Sequence, residues 1–499
     1  MAVDLTSGTS FTYLTILVAI VILKYTRDAT KSRNRPLPPG PKPLPIIGNI
    51  LDMPQTLPWI TFRDWSEKYG DVVHIRLLEQ PVVILGSPKA AFELLDKRSA
   101  NYSDRARSPL VSLMGWDWMM AFVPYGQVWR RARRMFWQHF TSAAIRRYEP
   151  AQLEGAHRLA KRLLDSPDRF VRHIHYAFGS AILKAVHGLN VAENDDKYVL
   201  ASEQGYVPSW VPGAGFQKKM AKWRLESCIL KDVPFEAVKH SFKDGTAAPS
   251  VISSLLEQIS RLDPSLQEEE EDLAKNVVGA AYGAGADTTF SIIQAFFLAM
   301  VSHPEVQRKA RAELDLVVGP NRLPDFGDRD SLPYINAVVK ESLRWQNVVP
   351  LGIIHRSIEE DEYNGYFIPA GCSVIANIWA FMHDPEVYPD PEAFIPERYL
   401  LNGKLNPEVQ DPSTIVFGFG RRICPGRHFA DTSLFINLAT VLHLFDIAPA
   451  VDSNGEEIPV PGTMTSGFLS YPTEFKCSIK PRSASAEALI QADYGETFA

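Results

Sequence analysis

The apolar and polar positions of this chain divide it before any single residue is considered. Leu5 to Leu23 is a run of 19 residues without a charge, and Lys24, Arg27, Lys31, Arg33 and Arg35 follow it. That length just spans a bilayer as a helix, and the basic flank belongs on the cytoplasmic side. A cleaved secretory leader fits less well, because such leaders carry basic residues ahead of the apolar stretch and only Asp4 precedes this one. The run is read as a membrane anchor over residues 1–28. "RPLPPGPKPLPIIGN", Arg35 to Asn49, holds six prolines, which forbid a continuing helix and favour a stiff extended segment. Residues 29–48 are therefore expected to act as a spacer between membrane and globule.

Beyond it, "DVVHIRL" and "PVVILG" (Asp71 to Gly86) predict a strand pair, followed by a helix from Pro88. From there to about Gln346 helical periodicity dominates, punctuated at pairs such as His303-Pro304, with an apolar helix from roughly Asp272 to Ser302. Strand-like segments return at Tyr366 to Ile378, and another long apolar helix starts after Pro425. Pro389 to Thr414 carries little regular pattern. The pattern as a whole predicts a mainly α fold with small β-sheets, one large domain over 49–483, and a polar tail over 484–499 that frays.

Composition adds exclusions. With 499 residues, 45% of them hydrophobic, the chain can bury a large core. A net charge of −6 gives no general attraction to nucleic acid. Cys228, Cys372, Cys424 and Cys477 lie far apart with no CxxC pair, so neither a zinc site nor a disulfide framework is written here.

A free cysteine is most often a small buried hydrophobe, but Cys424 is placed differently. It sits in "FGFGRRICPG", Phe417 to Gly426. Pro425 suits a first helical position, so helix N-terminal amides point at the sulfur and favour the thiolate. Gly418, Gly420 and Gly426 let backbone approach something flat and bulky, Phe417 can pack beside the sulfur, and Arg422 can reach an anionic group.

Phe417, Gly420, Arg422, Cys424 and Gly426 resemble the FxxGxRxCxG haem-binding loop of the cytochrome P450 family. The resemblance implies that Cys424 is the axial thiolate of a haem b iron, pushing electron density toward bound oxygen. It extends in order from Pro36 to Arg482. "KESLRW" places Glu341 and Arg344 on one helix face, by itself a common surface arrangement; with "FIPERY", Phe394 to Tyr399, the resemblance implies that Glu341, Arg344 and Arg398 form a buried triad bracing the cysteine loop.

"AGADTT", Ala284 to Thr289, would ordinarily be a polar turn on a solvated face. Its apolar flanks leave little such face, so Asp287 and Thr288 need partners, and Gly283 and Gly285 allow a local opening of the helix. By resemblance, Thr288 hydrogen-bonds the oxygen under activation and Asp287 relays protons. Trp129 and Arg133 in "YGQVWRRARR" match the WxxxR beside a haem propionate, His355 in "PLGIIHR" falls where similar proteins carry another propionate donor, and Arg422 completes the set. Arg130, Arg131 and Arg134, with Arg421 and Arg427, form either an ordinary solvated face or a docking patch for an acidic electron donor. The resemblance implies NADPH–cytochrome reductase, with cytochrome b5 a second candidate.

"IIHRSIEEDEYNGYFIPAG" and "HDPEVYPDPEAFIPERYL" resemble fungal membrane-bound members of secondary metabolism. That similarity implies a single-pass protein of the endoplasmic reticulum membrane with its catalytic domain, 49–483, facing the cytosol. It also places a pocket lining at Pro109 to Phe122, Val278 to Thr288, Val348 to Ile354 and Thr465 to Ser470, whose apolar character suits a small, uncharged lipophilic substrate. One segment departs from the pattern. Asn194 to Gln217 is shorter than in similar proteins and leaves between Tyr198 and Val207 scarcely room for a helix; either an exon is skipped in the gene model or the pocket lacks part of its roof. The expected activity is a reductase-dependent monooxygenase. The rivals are a reductase-independent haem-thiolate isomerase or dehydratase, against which the Asp287-Thr288 pair argues, and a non-catalytic haem carrier or sensor.

Overall fold

The computed structural model describes residues 35–190 and 216–498. The apolar run Leu5 to Leu23 and nearly all of the short Asn194 to Gln217 segment lie outside the described residues. Among the described residues one helix, Pro264–Ser302, is long and apolar enough to cross a membrane, and 72% of its most apolar window is buried inside the protein.

The chain is mostly helical with small sheets. The longer helices are α1 (Pro58–Tyr69), α2 (Gln127–His139), α3 (Glu149–Asp165), α4 (Phe170–His187), α5 (Phe216–Lys243) and α6 (Val251–Ser260). They continue with α7 (Pro264–Ser302), α8 (Pro304–Val317), α9 (Pro333–Trp345), α10 (Arg427–Leu444) and α11 (Ala484–Phe498). Prolines at the first turns of α1, α7, α8 and α9 mark helix starts where a missing N–H costs nothing. The largest apolar core joins α3, α4, α7, α8, α9 and α10, with Phe297, Leu434, Phe435 and Ile335 fully buried in it.

The expected strand pair is β1 (Val72–Leu77) and β2 (Gln80–Leu85), antiparallel with Val72 opposite Leu85. Asp104–Arg105 (β3), His355–Arg356 (β4) and Ser373–Ala376 (β5) complete a five-stranded sheet in the order β1-β2-β5-β4-β3. Pairing of β3 with β4 sets Arg105 opposite His355, 250 residues later in the chain.

Three expectations change. α7 begins at Pro264, capped by the Asp263 side chain, and not near Asp272; its first turns are polar because they face solvent, where Glu271 pairs with Lys239. The described part of the proline-rich segment is not a free spacer. Proline carbonyls remain strong acceptors, and those of Pro36, Pro39 and Pro41 take bonds from Phe367 N, His74 N and Asn49 Nδ2 at 2.8, 2.9 and 3.1 Å. A Cβ on Gly40 would fall 2.0 Å from the His74 carbonyl oxygen, so the strap lies directly on β1. The polar tail, finally, is the helix α11. Its Ala486 and Ile490 are buried in the main core, and Asp493 meets His157 of α3 at 2.8 Å.

Candidate active site

The cysteine loop is held by backbone geometry. Gly418 and Gly420 take φ of 80° and 53°, and a Cβ on Gly420 would lie 2.3 Å from the Leu95 carbonyl oxygen, so only glycine fits there. The Cys424 N–H donates to the Phe417 carbonyl at 2.7 Å, closing the loop over Phe417 to Cys424. Burial pushes the Cys424 thiol up, while the amides of Gly426 and Arg427 and the guanidiniums of Arg133 and Arg427 pull it down. The amide cradle at the start of α10 is thus present, and a metal cation is what would tip the balance to thiolate.

Beside the loop lies a cluster of buried bases. Arg422 donates to the carbonyls of Ser103, Met120 and Val123 at 2.8, 3.3 and 2.9 Å, and its guanidinium carbon sits 4.3 Å from the Trp129 ring centre. Burial lowers its pKa to about 10, and burial likewise lowers Arg133 to about 10. Arg105, a residue no sequence motif singled out, is buried and donates to the carbonyls of Ala121, Ile353 and Ile354. His355 bonds the Tyr102 carbonyl through Nδ1 at 2.7 Å, and burial, then Arg105, holds its pKa well below the usual value. Asp104 is the nearby acid, and it already accepts from Tyr125 N at 2.9 Å and Arg356 at 3.1 Å.

Three guanidiniums and an imidazole are therefore gathered where burial and mutual repulsion oppose their charges. That surplus suits a ligand carrying carboxylates. Among the described residues no three His, Cys, Asp or Glu side chains cluster to hold a metal, so a metal on Cys424 must bring its other ligands with it. A haem, with its ring nitrogens and two propionates, satisfies both requirements.

The predicted triad is assembled. Arg344 donates from Nε to Glu341 Oε2 at 2.7 Å and from Nη2 to Oε1 at 2.8 Å. Its remaining donors reach the carbonyls of Met382, Pro391 and Ala393, and Arg398 Nε meets Glu341 Oε1 at 3.2 Å.

On α7, Gly283 to Gly285, Asp287 and Thr288 stay accessible while the flanking turns are buried. The helix runs through Gly283 and Gly285 without the expected opening, and Thr288 Oγ1 donates to the Ala284 carbonyl at 2.7 Å. Asp287 has found a partner in His175 of α4 at 3.3 Å. The four expected pocket segments converge here. Met119 and Leu230 approach Gly283, Phe122 meets Phe468 with ring centres 6.1 Å apart, and Ser470 N donates to the Val348 carbonyl at 2.8 Å.

Of the five expected surface arginines, Arg131 is taken up by Glu269 and Glu270 of α7, and Arg427 donates to the Cys424 carbonyl at 3.3 Å. Arg130, Arg134 and Arg421 remain exposed, the first and last stacked on Tyr125.

Comparison with known proteins agrees with this geometry. The cytochrome P450 family model matches residues 38–198 and 225–478, and the interruption overlaps the short segment noted above. Cytochrome P450 monooxygenase COX2 of Coprinopsis cinerea is 40% identical over 98% of this chain and 97% of its own length. Cytochrome P450 monooxygenase 208 of Postia placenta is 41% identical, covering 96% of each chain. Tryptamine 4-monooxygenase of Psilocybe cyanescens is 39% identical over 94% of this chain and 98% of its own.

Proposed function

Because the chain belongs to the cytochrome P450 family of haem-thiolate monooxygenases, we propose that it inserts one oxygen atom into a C–H or C=C bond of a lipophilic secondary metabolite, with haem b held on Cys424. The haem supplies, when bound, the reductive activation of dioxygen, which consumes two electrons and two protons and releases one oxygen as water. Every other part of the task falls to side chains of this chain.

Cys424 would hold the haem iron through its sulfur, with the Gly426 and Arg427 amides stabilising the thiolate charge. Arg133 and Arg422, joined by Arg105, would offset the propionate charges that would otherwise be costly to bury, Trp129 would donate its indole N–H, and His355, whose Nδ1 already serves the Tyr102 carbonyl, would join them by taking up a proton at Nε2. Phe417 and Gly426 shape the sulfur's side of the site, and the Glu341, Arg344 and Arg398 triad ties the backbone of residues 382–395 to α9. Thr288 has a hydroxyl that can leave the Ala284 carbonyl and donate to the oxygen undergoing reduction, and Asp287 resupplies its proton. The apolar segments around Met119, Phe122, Val348 and Phe468 exclude water and orient an uncharged substrate.

Electrons come from NADPH–cytochrome reductase, or cytochrome b5 for the second, docking on Arg130, Arg134 and Arg421. Leu5 to Leu23 anchors the chain in the endoplasmic reticulum membrane with the domain in the cytosol.

The observation that carries this reading is the Cys424 sulfur in its amide cradle beside buried bases that outnumber their acids. The test is the spectrum of the reduced protein under carbon monoxide. A thiolate-ligated haem gives a Soret band strongly shifted to the red, and Cys424→Ser loses it. A well-folded protein lacking that band rules the reading out. NADPH consumption with reductase then separates a monooxygenase from an isomerase, and it should slow with added salt while substrate binding does not.

A further inference from the structure

Asp287 has a companion that the oxygen-activation motif does not contain. Its Oδ1 lies 3.3 Å from Nε2 of His175, which projects from α4, the helix packed along α7. The imidazole keeps 10% of its side-chain exposure and the carboxylate 23%. Phe290, three residues past Asp287 on α7, meets the imidazole nearly edge-on, ring centres 5.2 Å apart and planes at 75°. Ring orientation is thus fixed by the same helix that carries the acid.

A carboxyl group that gives up a proton must regain one before it can act again. Histidine is suited to that task because an imidazole takes up and releases a proton more readily than other side chains near neutral pH. We infer that His175 is a positioning and proton-relay residue that holds the Asp287 carboxylate and reprotonates it. This rests on the proton-delivery role proposed for Asp287. In each pass the Asp287 carboxyl releases its proton toward Thr288. The carboxylate left behind takes the Nε2 proton of the imidazolium, and Nε2 regains one from solvent along the exposed edge of the pair, since Nδ1 is buried. One proton moves inward and no electron is transferred.

The experiment compares His175→Gln, which keeps an N–H donor but cannot pass a proton, with His175→Phe and Asp287→Asn in the haem-loaded full chain. Product and hydrogen peroxide are measured per NADPH, and the solvent isotope effect on turnover is recorded. Loss of a relay should lower product per NADPH about tenfold or more in His175→Gln, with peroxide rising in step. The double variant with Asp287→Asn should be no worse than Asp287→Asn alone, as for residues acting as a unit. Independently of turnover, histidine 15N NMR of the reduced carbon monoxide form should show the His175 Nε2 resonance moving in Asp287→Asn. Thermal unfolding of His175→Gln checks that the fold is kept. If Asp287→Asn uncouples and a folded His175→Gln does not, this inference fails while the role of Asp287 stands. If neither uncouples, the proton-delivery reading fails and takes this inference with it.

Discussion

Glu341 and Arg344, one helical turn apart on α9, are both fully buried and joined by two hydrogen bonds of 2.7 and 2.8 Å. The remaining donors of Arg344 go to carbonyls 38 to 49 residues away. This pair staples the segment from Met382 to Ala393 to α9. Removing one member strands a buried charge, which costs about 3–5 kcal/mol. Glu341→Gln and Arg344→Met should therefore lower the urea midpoint sharply and abolish the red-shifted carbon monoxide band. A normal band in either variant would show that the pair is not structural.

Arg105 stands opposite His355 and lies close enough to Arg422 for the two charges to repel. Losing a charge-assisted hydrogen bond costs about 1.5–3 kcal/mol, so Arg105→Met should release haem roughly ten to a hundred times faster. Transfer to a haem-free globin measures that rate, and the Soret position should not move because Cys424 is untouched.

Among the described residues Thr288 bonds only within its own helix, to the Ala284 carbonyl, so Thr288→Val changes a hydroxyl and little packing. Product per NADPH should fall about ten- to a hundredfold with peroxide appearing instead. Substrate affinity, read from the spectral shift on binding, should stay within about twofold, since the polar loss falls on proton delivery.

Two buried histidines set a pH dependence. Burial lowers His187 to about 3, and burial with help from Arg344 lowers His383 to about 3. Above the unfolded value near 6.5 neither state is protonated and nothing is lost. As pH falls below it the unfolded chain takes up protons that the folded chain refuses, so stability declines until about pH 3. Each histidine contributes about 1.4 kcal/mol per pH unit over that range. His187→Phe should reduce the slope of unfolding free energy between pH 6 and 4 by about one proton. An unchanged slope would mean that His187 is not buried neutral.

Ile490 is 2% exposed in the main core, four residues after the equally inward Ala486. Ile490→Asp should cost about 3 kcal/mol or more, combining lost burial with a buried charge. Calorimetry would show it as a lowered unfolding temperature. A change within about 0.5 kcal/mol would mean that α11 contributes nothing to the fold.

What could be read from the sequence was what is local. Phe417 to Gly426 carries its glycines, proline and cysteine in one loop, and the i, i+3 spacing of Glu341 and Arg344 survives as a contact. The carbonyl cage around Arg344 could not be read, because it is built from backbone far along the chain. Arg105 and His175 stayed hidden for the same reason. Each acquires meaning only from a partner brought close by folding, His355 through β-pairing and Asp287 through helix packing. The tail was misjudged because Ala486 and Ile490 bury it with two small contacts amid polar neighbours. Gly283 and Gly285 suggested an opening that continuous packing of α7 on α4 does not require.

The strap from Pro36 to Gly48 leaves a short leash. Only residues 24–35 separate Leu23 from Pro36, and 12 residues fully extended reach at most about 43 Å. With the apolar run embedded as proposed, the domain cannot wander or tumble freely above the bilayer. An embedded run would keep the flank bearing exposed Leu44, Ile46 and Leu51 berthed against the lipid surface, where an oily substrate dissolved in the membrane would have the shortest way in.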